Sequence, residues 1–523
     1  MRNIFKRGPV ITRNRFSWLA ISILAAAFGV QAQQAQDTTP VSASVTATAS
    51  TPAAPVTVPI TTSSNIAREA YEMGMVQREG RLFIDEGLAF FREAVKTDPH
   101  FALAHAALGY FTPDPTEGHR ESALAAKYAS TATPDEQLLI RWMNGTKNGD
   151  LVSAISSMND LLAKYPHDKR LANLDGEWLC SNQGVFDHGE QILKRVLEFD
   201  PNYYPAMNNL AYCYALSGQP QLAPPFMEKY VAALPNEPNP QDSYGEIMRM
   251  LGDYPAALDH YRKALQINPN FISSQVGIAS TYALMGDEKR ARVEYAKAIN
   301  ASIERSTRLG YRMLWAITYY RENDFDRARQ ELVKLDQQSH DSGLLIQNAE
   351  IHRTMALFNP SAPRAFHDLD DARFDLINAH GILPGDRDLE LATILQTRAF
   401  IAAEAGKSDV AQAALKPLAQ LAQTSRSIPI QCAYHSANGA LLFLKGDFAG
   451  AISELQQDPT NPLSLKLLAD AQTKAGQSAD AQKTLTALAA ISDERVETAF
   501  AVPQAKLALK ANPGQSGRAG GAN

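Results

Sequence analysis

No two cysteines in this sequence form a CxxC pair. Only Cys180, Cys213 and Cys432 occur among 523 residues, too few for a disulfide framework. Surplus positive charge is missing too, since 50 lysines and arginines face 56 acids for a net charge of −6. That balance argues against a nucleic-acid binder, which needs a basic footprint. The apolar run at residues 18–30 is 13 long, short of the ~20 residues that a membrane-crossing helix requires. No HExxH, P-loop, GxSxG or dinucleotide fingerprint occurs. His100 and His105 are five apart, the wrong spacing for two ligands on one helical face. No metal and no cofactor is expected on these grounds.

What the chain does have is a period. Across residues 204–303, Gly218, Gly252 and Gly286 lie 34 apart, as do Ala223, Ala257 and Ala291. Tyr261 with Tyr295, Ala264 with Ala298, and Pro201, Pro235 and Pro269 keep the same interval. Several residue types phased together at such a period indicate stacked supersecondary units, not one closed globule. In one unit, Gly252-Asp253 ends a helix with a residue that tolerates a left-handed cap. Ala257, Tyr261, Ala264 and Leu265 then form an apolar stripe at helical spacing, and Pro269 stops that helix. Small residues let two antiparallel helices approach closely, and tyrosine fills the wider gap one turn on.

This pattern resembles a tetratricopeptide repeat. One unit carries it in Leu210, Ala211, Tyr214, Gly218, Ala223 and Pro235. The next carries it in Tyr244, Gly245, Gly252, Ala257, Tyr261, Ala264 and Pro269. A third has Ile278, Ala279, Tyr282, Gly286, Ala291, Tyr295 and Ala298, with Ile303 in place of the proline. The resemblance implies an all-α fold, a right-handed α-solenoid of antiparallel helix pairs, and says little about what is bound. It also implies a concave groove lined by the first helix of each repeat. In this register the lining positions are Trp178, Asn208, Tyr212, Asp242, Glu246 and Arg249, with Ser280 further on. Aromatic, amide and charged groups in that mixture suit an extended peptide. Packing between helices is the competing role for Trp178 and Tyr212. Arg249 is the one base of the set, which disfavours capture of a peptide's terminal carboxylate.

Taken in order, residues 1–32 read as a signal peptide. Five bases and no acid precede the apolar run, and Val30-Gln31-Ala32 resembles a small-residue cleavage site. Export to the periplasm or beyond is expected, with an uncleaved anchor as the alternative. Loss of the five bases leaves a mature chain near −11. Residues 33–64, rich in Thr, Ala, Pro and Ser with one acid, Asp37, read as a disordered linker. Repeats are expected over 65–303, clearest at 170–303, and degenerate helical repeats over 304–510 continue the solenoid. Residues 511–523 read as a disordered tail. Trp142 stands where a small residue is usual, so its joint must pack differently. Cys180 and Cys213, on the first helices of adjacent repeats, read as buried free thiols. A disulfide in an oxidising compartment is the alternative. The run His367-Asp368-Leu369-Asp370-Asp371 reads as acids in the first turn of a helix after a break at Pro363, not as a metal site.

Two functions follow. The first is a noncatalytic exported scaffold that binds a protein or extended peptide partner in its groove. On that reading, replacing Trp178, Tyr212 and Arg249 together abolishes capture without changing helical content or melting. The second is an enzyme, or enzyme subunit, with a site at the irregular breaks near 111–118 or 358–371. An acid–base pair facing a pocket at a break would favour the second.

Overall fold

The computed structural model describes residues 57–81 and 84–511. Residues 1–32, expected to be a signal peptide, most of the expected linker and all but the first residue of the expected tail lie outside the described residues. Every regular element among the described residues is helical. Twelve pairs run from Asn65–Val76 with Ile84–Thr97 to Pro462–Lys474 with Ser478–Ala489, and Val496–Ala511 follows alone. Each helix packs on its pair mate, and each pair packs on the next. No helix among the described residues is long and apolar enough to cross a membrane.

The joints follow from local chemistry. Gly252 sits at φ +79°, a conformation that costs a side-chain residue energy. Its N–H donates to the Arg249 carbonyl at 3.0 Å, and the Asp253 N–H donates to the Met248 carbonyl at 2.9 Å. Asp253 then accepts from the Ala256 N–H at 3.1 Å and so starts the next helix. Gly286 and Asp287 repeat both roles. The phased tyrosine is gripped by glycines of two repeats. A Cβ on Gly277 would lie 2.3 Å from the Tyr261 ring, and one on Gly245 would lie 2.9 Å from it. Trp142 is fully buried and meets Trp178 edge-on at 6.2 Å, so an aromatic contact stands here where a small residue is usual.

Residue 303 marks no change of architecture. Glu288–Ala301 packs on Arg305–Arg321 as earlier helices pack. Where the expected proline is absent, Arg308 Nε donates to the Ser302 carbonyl at 3.0 Å and satisfies the chain there.

Three expectations need correction. Cys180 and Cys213 are not free thiols; they form a disulfide with Cα atoms 5.3 Å apart. Their helices pack together, so two residues on facing helices reach bonding range. By loop closure, Cys213→Ser is expected to lower stability by about 2–4 kcal/mol, read from urea unfolding with and without reductant. Thiol titration of the unreduced, unfolded chain should find Cys432 alone.

Residues 57–64 are not a free spacer. They run as a strap along the helix starts of the N-terminal pairs. Val58 N–H donates to Asp168 Oδ2 at 3.1 Å, and Thr61 N–H to Glu136 Oε1 at 2.6 Å. Thr62 Oγ1 and Ser63 N–H both donate to Asp98 Oδ2, at 2.6 and 3.0 Å. Asp168 and Glu136 are also helix caps, accepting from Leu171 N–H and from Thr133 N–H. A carboxylate has more than one acceptor site, so one group caps a helix and holds the strap.

The acids at 368–371 do not lie in a first turn, because their helix, Ala362–Asn378, begins earlier. Asp368 accepts from Arg329 at 3.0 and 2.8 Å, and Asp370 from Arg398 at 2.7 Å. They tie this helix to its neighbours. No group of three or more metal-ligating side chains gathers among the described residues.

The array also curls until distant pairs touch. Pro384–Glu404 packs against Pro134–Asn148, with Lys147 Nζ 2.9 Å from Asp386 Oδ1. Gly385 abuts the end of the earlier helix, where a Cβ would lie 2.5 Å from the Lys147 carbonyl oxygen. Ile428 N–H donates to Gln183 Oε1 at 3.2 Å, and Arg92 bridges Glu117 and Glu304 at 2.7 and 2.8 Å.

Candidate functional site

The six residues expected to line the groove lie on first helices, but most are covered by the protein itself. Trp178 is 4% exposed and Arg249 2%. Asn208 and Asp242 are buried, while Tyr212 and Glu246 are half-buried. Trp178 begins a π-helical turn, Trp178–Gln183, and belongs to the N-terminal core with Trp142. Asn208 lies among buried neighbours, its Oδ1 shielded and without a hydrogen-bond partner. These two are not joined to the other four by any hydrogen bond or ion pair shown among the described residues.

Of the remaining four, Tyr212, Glu246 and Arg249 form a hydrogen-bonded network, with Asp242 beside it. Tyr212 OH donates to Glu246 Oε2 at 2.8 Å, and Arg249 Nη2 donates to Glu246 Oε1 at 2.9 Å. Asp242 accepts from Ser274 Oγ at 2.6 Å, one repeat further on. Ser280 pairs with Tyr295 OH at 2.9 Å. The group that completes the network was not visible in the repeat pattern. Glu494, from the stretch before the last helix, lies 3.2 Å from Arg249 Nη1. Ser492 Oγ lies 3.2 Å from Tyr254 OH, and Asp493 and Glu494 face Ser280, Tyr295 and Thr318. Residues 492–494 thus lie against the first helices of three successive pairs, at Arg249, Ser280 and Thr318, and against the second helices at Tyr254 and Tyr295. Replacing Trp178, Tyr212 and Arg249 together would excavate buried structure, so unchanged melting is not expected of that variant.

Burial sets the electrostatics. Desolvation pushes the Asp242 carboxyl up to about 7, with Glu246 and Glu494 adding to the rise and Ser274 and Arg249 opposing it. The folded value lies above the unfolded one. The folded chain therefore keeps a proton that the unfolded chain loses, and stability falls as pH rises from about 4 to about 7. Asp242→Asn is expected to be near neutral at the acid end of that window. At the alkaline end it should stabilise the protein by about 2–4 kcal/mol, measured by urea unfolding across pH.

The two irregular breaks differ. At 358–371, Phe358 stacks on Tyr320 at 4.1 Å and Asp368 is held by Arg329. At 111–118, Asp114 caps the helix Pro115–Tyr128. Thr112, Pro113 and Asp114 there line a pocket of about 250 Å³ together with Gln347, Glu350 and Glu390.

Comparison with known proteins agrees with this geometry at the level of the repeat. Residues 192–223 and 241–271 each match a family model described as tetratricopeptide repeat. Among solved structures, one of MamA (MSR-1) is 23% identical and covers 32% of this chain and 95% of its own, with a TM-score of 0.25. PilW, a type IV pilus biogenesis factor, is 18% identical over 45% of this chain and 93% of its own, with a TM-score of 0.28. A tetratricopeptide repeat protein from Parabacteroides merdae is 14% identical over 47% of this chain and 98% of its own, with a TM-score of 0.33. No protein of curated function matches the chain. With two stretches matching that repeat and glycine–aspartate joints at its spacing, this chain carries tetratricopeptide repeats in the region 192–271.

Proposed function

We propose that the protein is an exported, noncatalytic scaffold that binds an extended segment of a partner protein along the first helices of its repeats. One observation carries this reading: the array already holds two extended segments of its own chain. Residues 57–63 are held by Asp98, Glu136 and Asp168, and residues 492–494 lie against Arg249 and Tyr254. The first uses backbone N–H groups and hydroxyls on fixed carboxylates, and the second the Ser492 hydroxyl on Tyr254 and the Glu494 carboxylate on Arg249, contacts that an extended partner could also make. Tyr212 and Glu246, still partly open, are the groove positions that a partner would reach.

Export rests on the basic and then apolar character of residues 1–32. The Cys180–Cys213 bond supports it, because structural disulfides persist in oxidising compartments. The experiment places a photo-crosslinking amino acid at Glu246, and separately at Asp259 on the second helix of the same pair. Adducts with one partner from position 246 and none from 259 are expected. Equal adducts, or none at 246, would overturn the groove reading. The chain recovered from the envelope should begin near Gln33.

A further inference from the structure

Where early and late pairs meet at Gly385, a second pocket of about 280 Å³ is lined by residues of both. Trp178, Asn182 and Gln183 come from the turn Trp178–Gln183, and Ser425 and Ser427 from the later pairs. That turn is π-helical, a rare geometry that gathers at functional sites. The Ile428 N–H, donating to Gln183 Oε1 at 3.2 Å, joins the two parts of the chain here. The volume is below the usual range of drug-sized pockets, so a ligand must be small.

The charges around this pocket pair off. Arg78 lies 3.8 Å from Glu177 and over the Phe111 ring, Lys147 lies 2.9 Å from Asp386, and Arg387 donates to Asp388 at 3.2 Å. The neutral groups are less well served. Trp178 is 4% exposed and lines the pocket, yet its indole N–H makes no hydrogen bond among the described residues. Unlike Nε1 of Trp142, which is also unpartnered, it is not sealed from solvent. The Tyr110 hydroxyl and the Asn182 amide line the same pocket and make no hydrogen bond there either. Asn148 uses only its Nδ2, donating to Ser122 Oγ at 3.3 Å and to the Asn144 carbonyl at 2.8 Å, which leaves Oδ1 without a donor. Gln183 uses only its oxygen, which leaves Nε2 without an acceptor. Unfilled donors and unfilled acceptors thus stand together beside aromatic rings.

We infer that this pocket binds a small neutral sugar, whose hydroxyls bond to Trp178, Asn148, Asn182 and Gln183. An ammonium group brings donors alone and a carboxylate acceptors alone, whereas a hydroxyl both donates and accepts, as these groups require. The C–H faces of a sugar ring pack on aromatic side chains, which Tyr110 and Trp178 supply. With every lining charge already paired, a charged ligand gains no counter-ion here and still loses its water. Trp178, which the repeat register placed in the groove, acts at this site instead. The site is separate from Tyr212 and Glu246 and does not rest on their role. The sugar is either a free mono- or disaccharide or the end of a glycan chain.

The test is calorimetry on the full chain, with tryptophan fluorescence as a second readout. Glucose, N-acetylglucosamine, maltose and chitobiose are the neutral probes, and gluconate and glucosamine the charged controls. At least one neutral probe should bind with Kd below about 10 mM, and both controls more weakly. Maltotetraose and chitotetraose separate the two sources. Binding at least as tight as that of the disaccharide assigns the end of a glycan chain; weaker binding assigns a free sugar. Trp178→Phe, which keeps a ring and removes the N–H, should weaken binding about two- to tenfold, and Asn182→Ala by a similar factor. If Trp178→Phe fails to fold, Asn182→Ala, at an exposed position, decides. No binding of any neutral probe at about 50 mM would overturn the site. Tighter binding of gluconate or glucosamine, or undiminished binding by the folded variants, would overturn it equally.

Discussion

Glu494→Ala is expected to lower the unfolding free energy by about 2–3 kcal/mol, the worth of a charge-assisted contact to a buried group. Arg249 is 2% exposed and has two partners, Glu246 at 2.9 Å and Glu494 at 3.2 Å. Removing Glu494 leaves the guanidinium in place with half of its compensation. Arg249→Met should be the milder change, because it removes the desolvated charge itself and leaves acids that still reach water. Asp480→Ala, at an exposed pair with Lys483, should change stability by less than about 0.5 kcal/mol. Urea unfolding of the three variants gives the order. If Arg249→Met is the most damaging, the buried charge contributes more than its desolvation takes away.

Gly385→Val is the second large effect. A Cβ at this position would stand 2.5 Å from the Lys147 carbonyl oxygen and 2.8 Å from the Gly149 nitrogen. Both are backbone atoms, so neither can swing aside as a side-chain tip would. The helix Pro384–Glu404 must then leave Pro134–Asn148, breaking the Lys147–Asp386 pair. Overpacking of this kind costs about 1–3 kcal/mol, and here opening is the route of relief. A larger radius of gyration in solution scattering, with helical content unchanged, is the expected result. An unchanged radius would mean that the two arms do not touch at Gly385.

Much of the fold was legible in the sequence because the interactions that define it are local. Gly252 at a left-handed cap, Asp253 opening the next helix, and Tyr261 between Gly245 and Gly277 all lie within about one repeat of each other. A period exposes contacts of that range. The site was not legible, because its closing contacts join residues with no common phase. Glu494 reaches Arg249, and Asp386 reaches Lys147, across about half of the array. The first-helix positions were read as facing inward to line a groove, and four of them, Trp178, Asn208, Asp242 and Arg249, are buried. Inward-facing did not mean open, since the chain brings its own segments to Arg249 and to the N-terminal helix starts. Asp168 and Glu136 were hidden differently: each is an ordinary cap, and only the strap shows that its carboxylate also holds a second segment. The disulfide stood only as the alternative because spacing cannot distinguish two packed thiols from a bonded pair; the structure decides for the bond, with the two Cα atoms 5.3 Å apart.

Hydrogen exchange of the intact protein under native conditions tests most directly whether the repeat array holds its own extended segments. The amide protons of Val58, Thr61 and Ser63 are bonded to carboxylates of other repeats, and residues 492–494 sit against three first helices. Peptides covering 57–64 and 491–497 should be protected to an extent comparable with the helix ends they touch, and Glu494→Ala should release the second stretch alone. Exchange of both stretches at the rate of an unstructured peptide would contradict a self-filled inner face and leave the groove open along its length.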